Sequence, residues 1–243
     1  MIVIENVVRS GAPVSLSIEG TGIYGLLFAS AAEKSEWMDL LAGYEMPKEG
    51  RVLLQRKDAS APMHSQKKYV GYVPSDLALY GDMTVNELLA FVGEIKGVNP
   101  DKRERQIKEA VDLLGLQKVA NRLISLLSPA LCRRVAFAQA LLGNPSVILV
   151  DDPFAGAGAD QKRDMEALLE MLGRHKPIVI GALSADILPI CGSVCVMDES
   201  GVRFSGEASA LLAALADGET KVSAQRSLAE YFGFSALEEE DAQ

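Results

Sequence analysis

Histidine and cysteine are scarce in this chain, and long apolar runs are missing from it. Of 243 residues only two are histidine and three are cysteine. An odd number of cysteines, with Cys132, Cys191 and Cys195 all in apolar surroundings, argues against a disulfide framework and fits a reduced, cytosolic protein. A metal pair at Cys191-x-x-x-Cys195 is the weaker alternative. No apolar run approaches the roughly 20 residues of a membrane span, and the amino terminus lacks a signal-peptide pattern. Basic residues are outnumbered, and the net charge of −9 argues against bulk nucleic-acid binding. What is plentiful is apolar: 49% of the chain, with a mean hydropathy of +0.14, enough for a substantial core in one large domain or a core with an inserted subdomain. There is no internal repeat and no low-complexity linker.

The patterning predicts an α/β protein. Met1–Val8 and Val14–Ile18 alternate apolar and polar residues, as two strands of an antiparallel sheet do. Short apolar runs at Ile23–Leu27, Gly50–Leu54, Tyr69–Val73, Ser146–Val150 and Pro177–Ile180 read as further strands. Val194–Met197 and Val202–Ser205 read as a closing hairpin around Glu199-Ser200-Gly201. Helical spacing predicts helices at Lys34–Ala42, ended by Gly43, and from Thr84 to Ile95, where Glu87 completes a capping box. More follow at Asp101–Leu114, Ser128–Leu142 with Pro129 in its first turn, Gln161–Leu172, Ala208–Ala216 and Ser227–Phe232, before an acidic end at Glu238–Asp241.

The stretch with most to say about chemistry is Gly25–Gly43, where a strand turns into a helix that carries Lys34 and Ser35 near its start. That is the frame of a phosphate-binding loop, G-x-x-x-x-G-K-[ST], in which glycines let backbone N–H groups curl around phosphates. The eight residues here are Phe28, Ala29, Ser30, Ala31, Ala32, Glu33, Lys34 and Ser35. Phe28 and Glu33 occupy both glycine positions, adding bulk where the chain must turn and a carboxylate beside the expected polyphosphate. Lys34 and Ser35 remain as phosphate and magnesium ligands, or else as a helix start with a surface lysine. Asp151 and Asp152 follow a buried strand, where α/β folds place their chemistry, and read as acid/base and metal groups or as a cap on the strand end.

The order of these segments resembles the nucleotide-binding subunit of an ABC transporter over almost the whole chain. GIYGLL and LLAGYEMPKEGRVLL are similar to the P-loop strand and the turn and strand after its helix. YVGYVPSDLALYGDMTVNELLAF resembles the Q-loop and the start of the helical subdomain, and LLSPALCRRVAFAQALLGNPSVILVDDPFAG the signature helix running into the Walker B strand. RSLAEYF is similar to the tails of subunits serving ABC-2-type exporters.

The resemblance implies a P-loop NTPase core of ABC type with an antiparallel β-subdomain and an inserted helical subdomain. It divides a single domain, 1–243, into an α/β core with β-subdomain (1–78 and 144–205), a helical subdomain (79–143), and C-terminal helices with an acidic tail (206–243). It also implies ATP and magnesium as cofactors, with Lys34, Ser35 and (toward a partner's site) Ser128 for nucleotide, and Ser35 and Asp151 for the metal. Asp152 stands at the catalytic glutamate position, one methylene short. Other positions depart from the family's pattern: Phe28, Ala31 and Glu33 in the phosphate loop, Ser75 for the Q-loop glutamine, Pro129 and Ala130 for the signature glycines, and Leu183 for the switch histidine. Neither His64 nor His175 lies at that last position, and Val7 to Ser10 offers no ring to stack on adenine. FAGAGAD fits the D-loop aspartate at either Gly158 or Asp160.

Phosphoryl transfer depends on positioning and electrostatics, so such losses compound. The expectation is a degenerate subunit with weak or absent ATP and magnesium binding and little or no hydrolysis, on the inner face of the cell membrane. It would dimerise with an ABC-type partner and dock on an integral permease through the neighbourhood of Leu79, Tyr80, Met83, Thr84 and Val85. The alternative is an unorthodox ATPase that powers transport with Lys34, Ser35 and Asp151.

Overall fold

The computed structural model describes residues 1–9, 11–55, 60–62, 65–216 and 232. The helix expected at Ser227–Phe232, apart from Phe232 itself, and the acidic end lie outside these residues. Strands β1 (Ile2–Val8), β2 (Val14–Ile18), β4 (Glu49–Gln55) and β5 (Ser60–Pro62) form an antiparallel sheet in the order β2-β1-β4-β5. Alternation decides its orientation: Ile2, Ile4 and Val7 of β1 are buried, while Val3 and Glu5 are partly exposed and Asn6 is exposed. The register slips between Ile4 and Val7, where Asn6 takes φ 49°, a bulge that lets the strand bend over the core.

The second sheet has six strands in the order β10-β9-β3-β8-β7-β6: β10 (Gly201–Glu207), β9 (Ser193–Asp198), β3 (Gly22–Phe28), β8 (Pro177–Ala182), β7 (Val147–Asp151) and β6 (Val70–Val73). All neighbours are parallel except β10, which closes the edge as the antiparallel partner of β9. Every residue of β7 is buried, as expected of a strand covered on both faces.

The two faces sort the core. Leu26 and Phe28 of β3 join a cluster with Ile2, Ile4 and Leu54 of the antiparallel sheet and with Trp37, Met38, Leu40 and Leu41 of helix α1 (Ala31–Ala42). Ile23 and Leu27 face the opposite way. They belong to a second cluster that also takes in the apolar sides of α2 (Val85–Ile95), α3 (Pro100–Leu113), α4 (Pro129–Leu141), α5 (Ala159–Gly173) and α6 (Ala208–Ala216). α1 thus lies between the sheets, close enough to β8 that a Cβ at Gly181 would stand 2.5 Å from the Met38 sulfur. Gly43, at φ 79°, ends α1 in the left-handed conformation that glycine adopts without strain.

Helices α2, α3 and α4 follow one another between β6 and β7 in the chain. The α2 capping box is present as expected: the Thr84 N–H donates to Glu87 Oε2 at 2.8 Å, and the Glu87 N–H donates to Thr84 Oγ1 at 3.3 Å. One boundary differs in a way that bears on chemistry. α1 begins at Ala31, three residues before the expected Lys34, so a two-residue turn replaces the open loop.

Candidate functional site

The carboxyl ends of parallel strands β3 and β7 bring the predicted phosphate loop and the paired aspartates to one side of the sheet. Phe28, the last residue of β3, is buried in the core between the sheets. Ser30 caps α1, its Oγ accepting from the Glu33 N–H at 3.2 Å. In return the Glu33 carboxylate accepts from the Ala29 N–H. Ser30-Ala-Ala-Glu33 is therefore a variant of the capping box, with the return bond displaced by one residue. N–H groups at a helix start are ready-made anion ligands, and here two of this junction's donors are satisfied from within. Glu33 Oε2 is buried without a partner. Burial pushes this carboxyl up from 4.5 to about 7, the negative charges of Asp198, Glu199 and Glu36 push the same way, and the Ala29 N–H opposes them.

Lys34 is the centre of the site and is almost completely buried, which overturns the surface-lysine reading. Its Nζ lies 2.7 Å from Asp151 Oδ1, an ionic contact off the axis of a hydrogen bond, and it pairs directly with Asp152 Oδ2. The three side chains are only 6%, 8% and 22% exposed. Burial alone would lower the lysine's pKa, but its pairing with the two aspartates outweighs it and holds the value above that of a free lysine. Asp151 ends β7, and Asp152 follows at φ 41° with its N–H bonded to the Gly181 carbonyl at 2.9 Å. On the far side, Arg133 of α4 donates to the Pro74 carbonyl at 3.2 Å. Its pKa is lowered by burial, against the pull of Asp151 and Asp152.

The other predicted residues stand apart from this cluster. Ser35 and Ala31 are exposed on α1, and Ser75 is exposed beyond β6. Ser128 spends its hydroxyl as the N-cap of α4, accepting from the Leu131 N–H at 3.4 Å, with Pro129 and Ala130 exposed in that first turn. Leu183 packs against the core between the sheets. Gly158 is the N-cap position of α5 and Asp160 lies exposed in its first turn. Burial pushes the Cys191 and Cys195 thiols up to about 12, which disfavours the thiolate form a metal would need.

Three features escaped the sequence reading. The cap on α1 was signalled by Ser-x-x-Glu before an apolar run. The approach of Asp198 and Glu199 to Glu33 depends on strand order, which no local pattern carries. Third, Gly11 closes on the β9–β10 turn: a Cβ there would lie 1.4 Å from the Glu199 carbonyl oxygen, so the backbones touch.

The fold is that of the ATP-binding cassettes among P-loop NTPases. Two solved structures share it: cbiO1 from Clostridium perfringens, part of the ABC transporter complex cbiONQ, with a TM-score of 0.76 at 21% identity over 87% of this chain and 90% of that one, and the dimeric bacterial cassette MJ0796, with a TM-score of 0.70 at 20% identity over 86% and 99%. The sequence model of the ABC transporter family matches residues 12–155, and the chain belongs to that family. Among curated relatives, the sulfate/thiosulfate import ATP-binding protein CysA of Thermosynechococcus vestitus is 36% identical over 214 residues, covering 84% of this chain and 63% of the relative. ABC transporter A family member 1 of Dictyostelium discoideum is 27% identical over 206 residues, covering 84% and 24%. The chain thus spans less than two thirds of the length of either relative.

A triphosphate with magnesium requires an unspent lysine charge, free backbone donors and a ligand set for the metal. As placed, these residues do not fit that group. The Lys34 charge is taken by two carboxylates, Ser30 and Glu33 consume N–H donors, and Asp198 and Glu199 add like charge alongside. Among the described residues no three His, Cys, Asp or Glu side chains are grouped to hold a metal ion.

Proposed function

We propose that this chain is a non-hydrolysing ATP-binding-cassette subunit, of exporter type by the likeness of its RSLAEYF segment, that serves an ABC transporter by pairing with an ABC-type partner subunit and docking on an integral membrane permease. The observation that carries the reading is the neutralisation of Lys34 by Asp151 and Asp152, because a lysine already paired twice has little left for a phosphate. Its docking role is supported by apolar surface left outside the core. Tyr80 and Phe91 form an exposed edge-to-face ring pair 5.8 Å apart. Tyr44 and Ile95, also exposed, border a groove of about 340 Å³ with Tyr72, Val92 and Lys96. No helix among the described residues is long and apolar enough to cross a membrane, so in this reading membrane attachment comes from the permease.

Calorimetric titration with Mg-ATP, paired with a phosphate-release assay, tests the first half. We expect no heat of binding and no turnover. Micromolar binding with turnover that is lost in Lys34→Ala would establish the alternative, an unorthodox ATPase using Lys34, Ser35 and Asp151. Co-purification with a permease tests the second half, and a chain that never enters a membrane complex would reduce the reading to a soluble scaffold.

A further inference from the structure

We propose that Asp152 is an internal latch: with Asp151 it holds the Lys34 ammonium in the place of a phosphate and so keeps anions out of the junction between β3 and α1. The inference rests on the non-hydrolysing reading and supplies its cause, which is competition from a tethered carboxylate rather than the missing glycines. The geometry of Asp152 makes it suited to the task. Its backbone stands at φ 41°, a conformation that few residues other than glycine adopt but that Asp and Asn tolerate. Its N–H is fixed to the Gly181 carbonyl of the neighbouring strand at 2.9 Å. The carboxylate is thus delivered to Lys34 from an anchored backbone. A short tether gives an effective concentration of at least the mM order, which dilute free phosphate compounds do not match.

Glu33 is a second, separate barrier. Its carboxylate takes the Ala29 N–H and leaves Oε2 buried, with Asp198, Glu199 and Glu36 acting on it from the β9–β10 turn and from α1. Removing Glu33 alone therefore leaves Lys34 paired twice, whereas removing the Asp152 charge leaves it paired once, with Asp151.

The test is calorimetric titration of the full chain with inorganic pyrophosphate, in the absence of magnesium. The proteins compared are the natural chain, Glu33→Gln, Asp152→Asn and the double variant, each shown to melt cooperatively. Asn suits the left-handed backbone and keeps the side-chain volume, and Asp152→Gly, which favours the same backbone, replaces it should Asn fail to fold. We expect no binding by the natural chain or by Glu33→Gln, millimolar binding by Asp152→Asn, and at least tenfold tighter binding by the double variant. Binding by the natural chain would overturn the latch, whereas the reading beneath it falls only to Mg-ATP turnover that is lost in Lys34→Ala. Binding by Glu33→Gln alone, or by none of the folded variants, would overturn the latch and leave that reading intact.

Discussion

Substituting Lys34 by Met separates a structural lysine from an idle ligand. Lys34→Met keeps the length and apolar stem of the side chain and removes only the ammonium. What remains is Asp151 and Asp152 side by side, 8% and 22% exposed, with no cation between them. Breaking a buried ion pair by deleting one partner costs about 3–5 kcal/mol, because the stranded charge keeps its desolvation penalty. At roughly 2–4 °C per kcal/mol for a chain of this size, the melting temperature should fall by about 6–20 °C. Urea unfolding followed by circular dichroism would give the free energy, and scanning calorimetry the midpoint. A lysine waiting for a phosphate would behave as a surface residue, whose substitution usually changes stability by less than about 0.5 kcal/mol. A change of that size would refute the reasoning.

The remaining predictions concern the same junction and one distant lysine. Glu33 has a folded pKa raised from 4.5 to about 7, so the native state binds more protons between those values and the wild-type protein loses stability as pH rises through them. In pH-dependent thermal melts, Glu33→Gln should lack that slope and melt above the wild type at pH 8. Ser30→Ala removes the N-cap of α1 and should cost about 1 kcal/mol in urea unfolding, while an unchanged midpoint would mean the Oγ bond at 3.2 Å contributes nothing. Lys96 donates to the carbonyls of Gln139, Ala140 and Leu142 at the end of α4, and burial lowers its pKa from 10.5 to about 8. The unfolded chain then holds the extra proton between those values, so stability should rise with pH across that window, and Lys96→Met should flatten the rise.

Much of the fold was legible because local rules and burial agreed. Thr84 and Glu87 mark a helix start wherever they occur before an apolar run, and α2 begins where they stand. The all-apolar run of β7 needs cover on both faces, and it received that cover. The site was legible only in its parts. Lys34, Asp151 and Asp152 could be singled out by position, yet their mutual pairing joins residues separated by more than a hundred positions and depends on β8 lying between β3 and β7. The start of α1 was misplaced for a different reason. Reading Phe28–Ser35 against a glycine-rich loop drew attention to what was lost, while Ser30 and Glu33 had already built a helix cap from what was there.

The seam at Gly11 and Glu199 works like a bolt without a washer. With no side chain between the two backbones, Gly11 and the turn leaving β9 bear directly on each other, and the antiparallel sheet is braced against the six-stranded one at that point. Swinging one sheet away from the other would have to start by unseating this contact. A methyl group there would act as a shim between the two backbones, forcing the turn that carries Glu199 to give way.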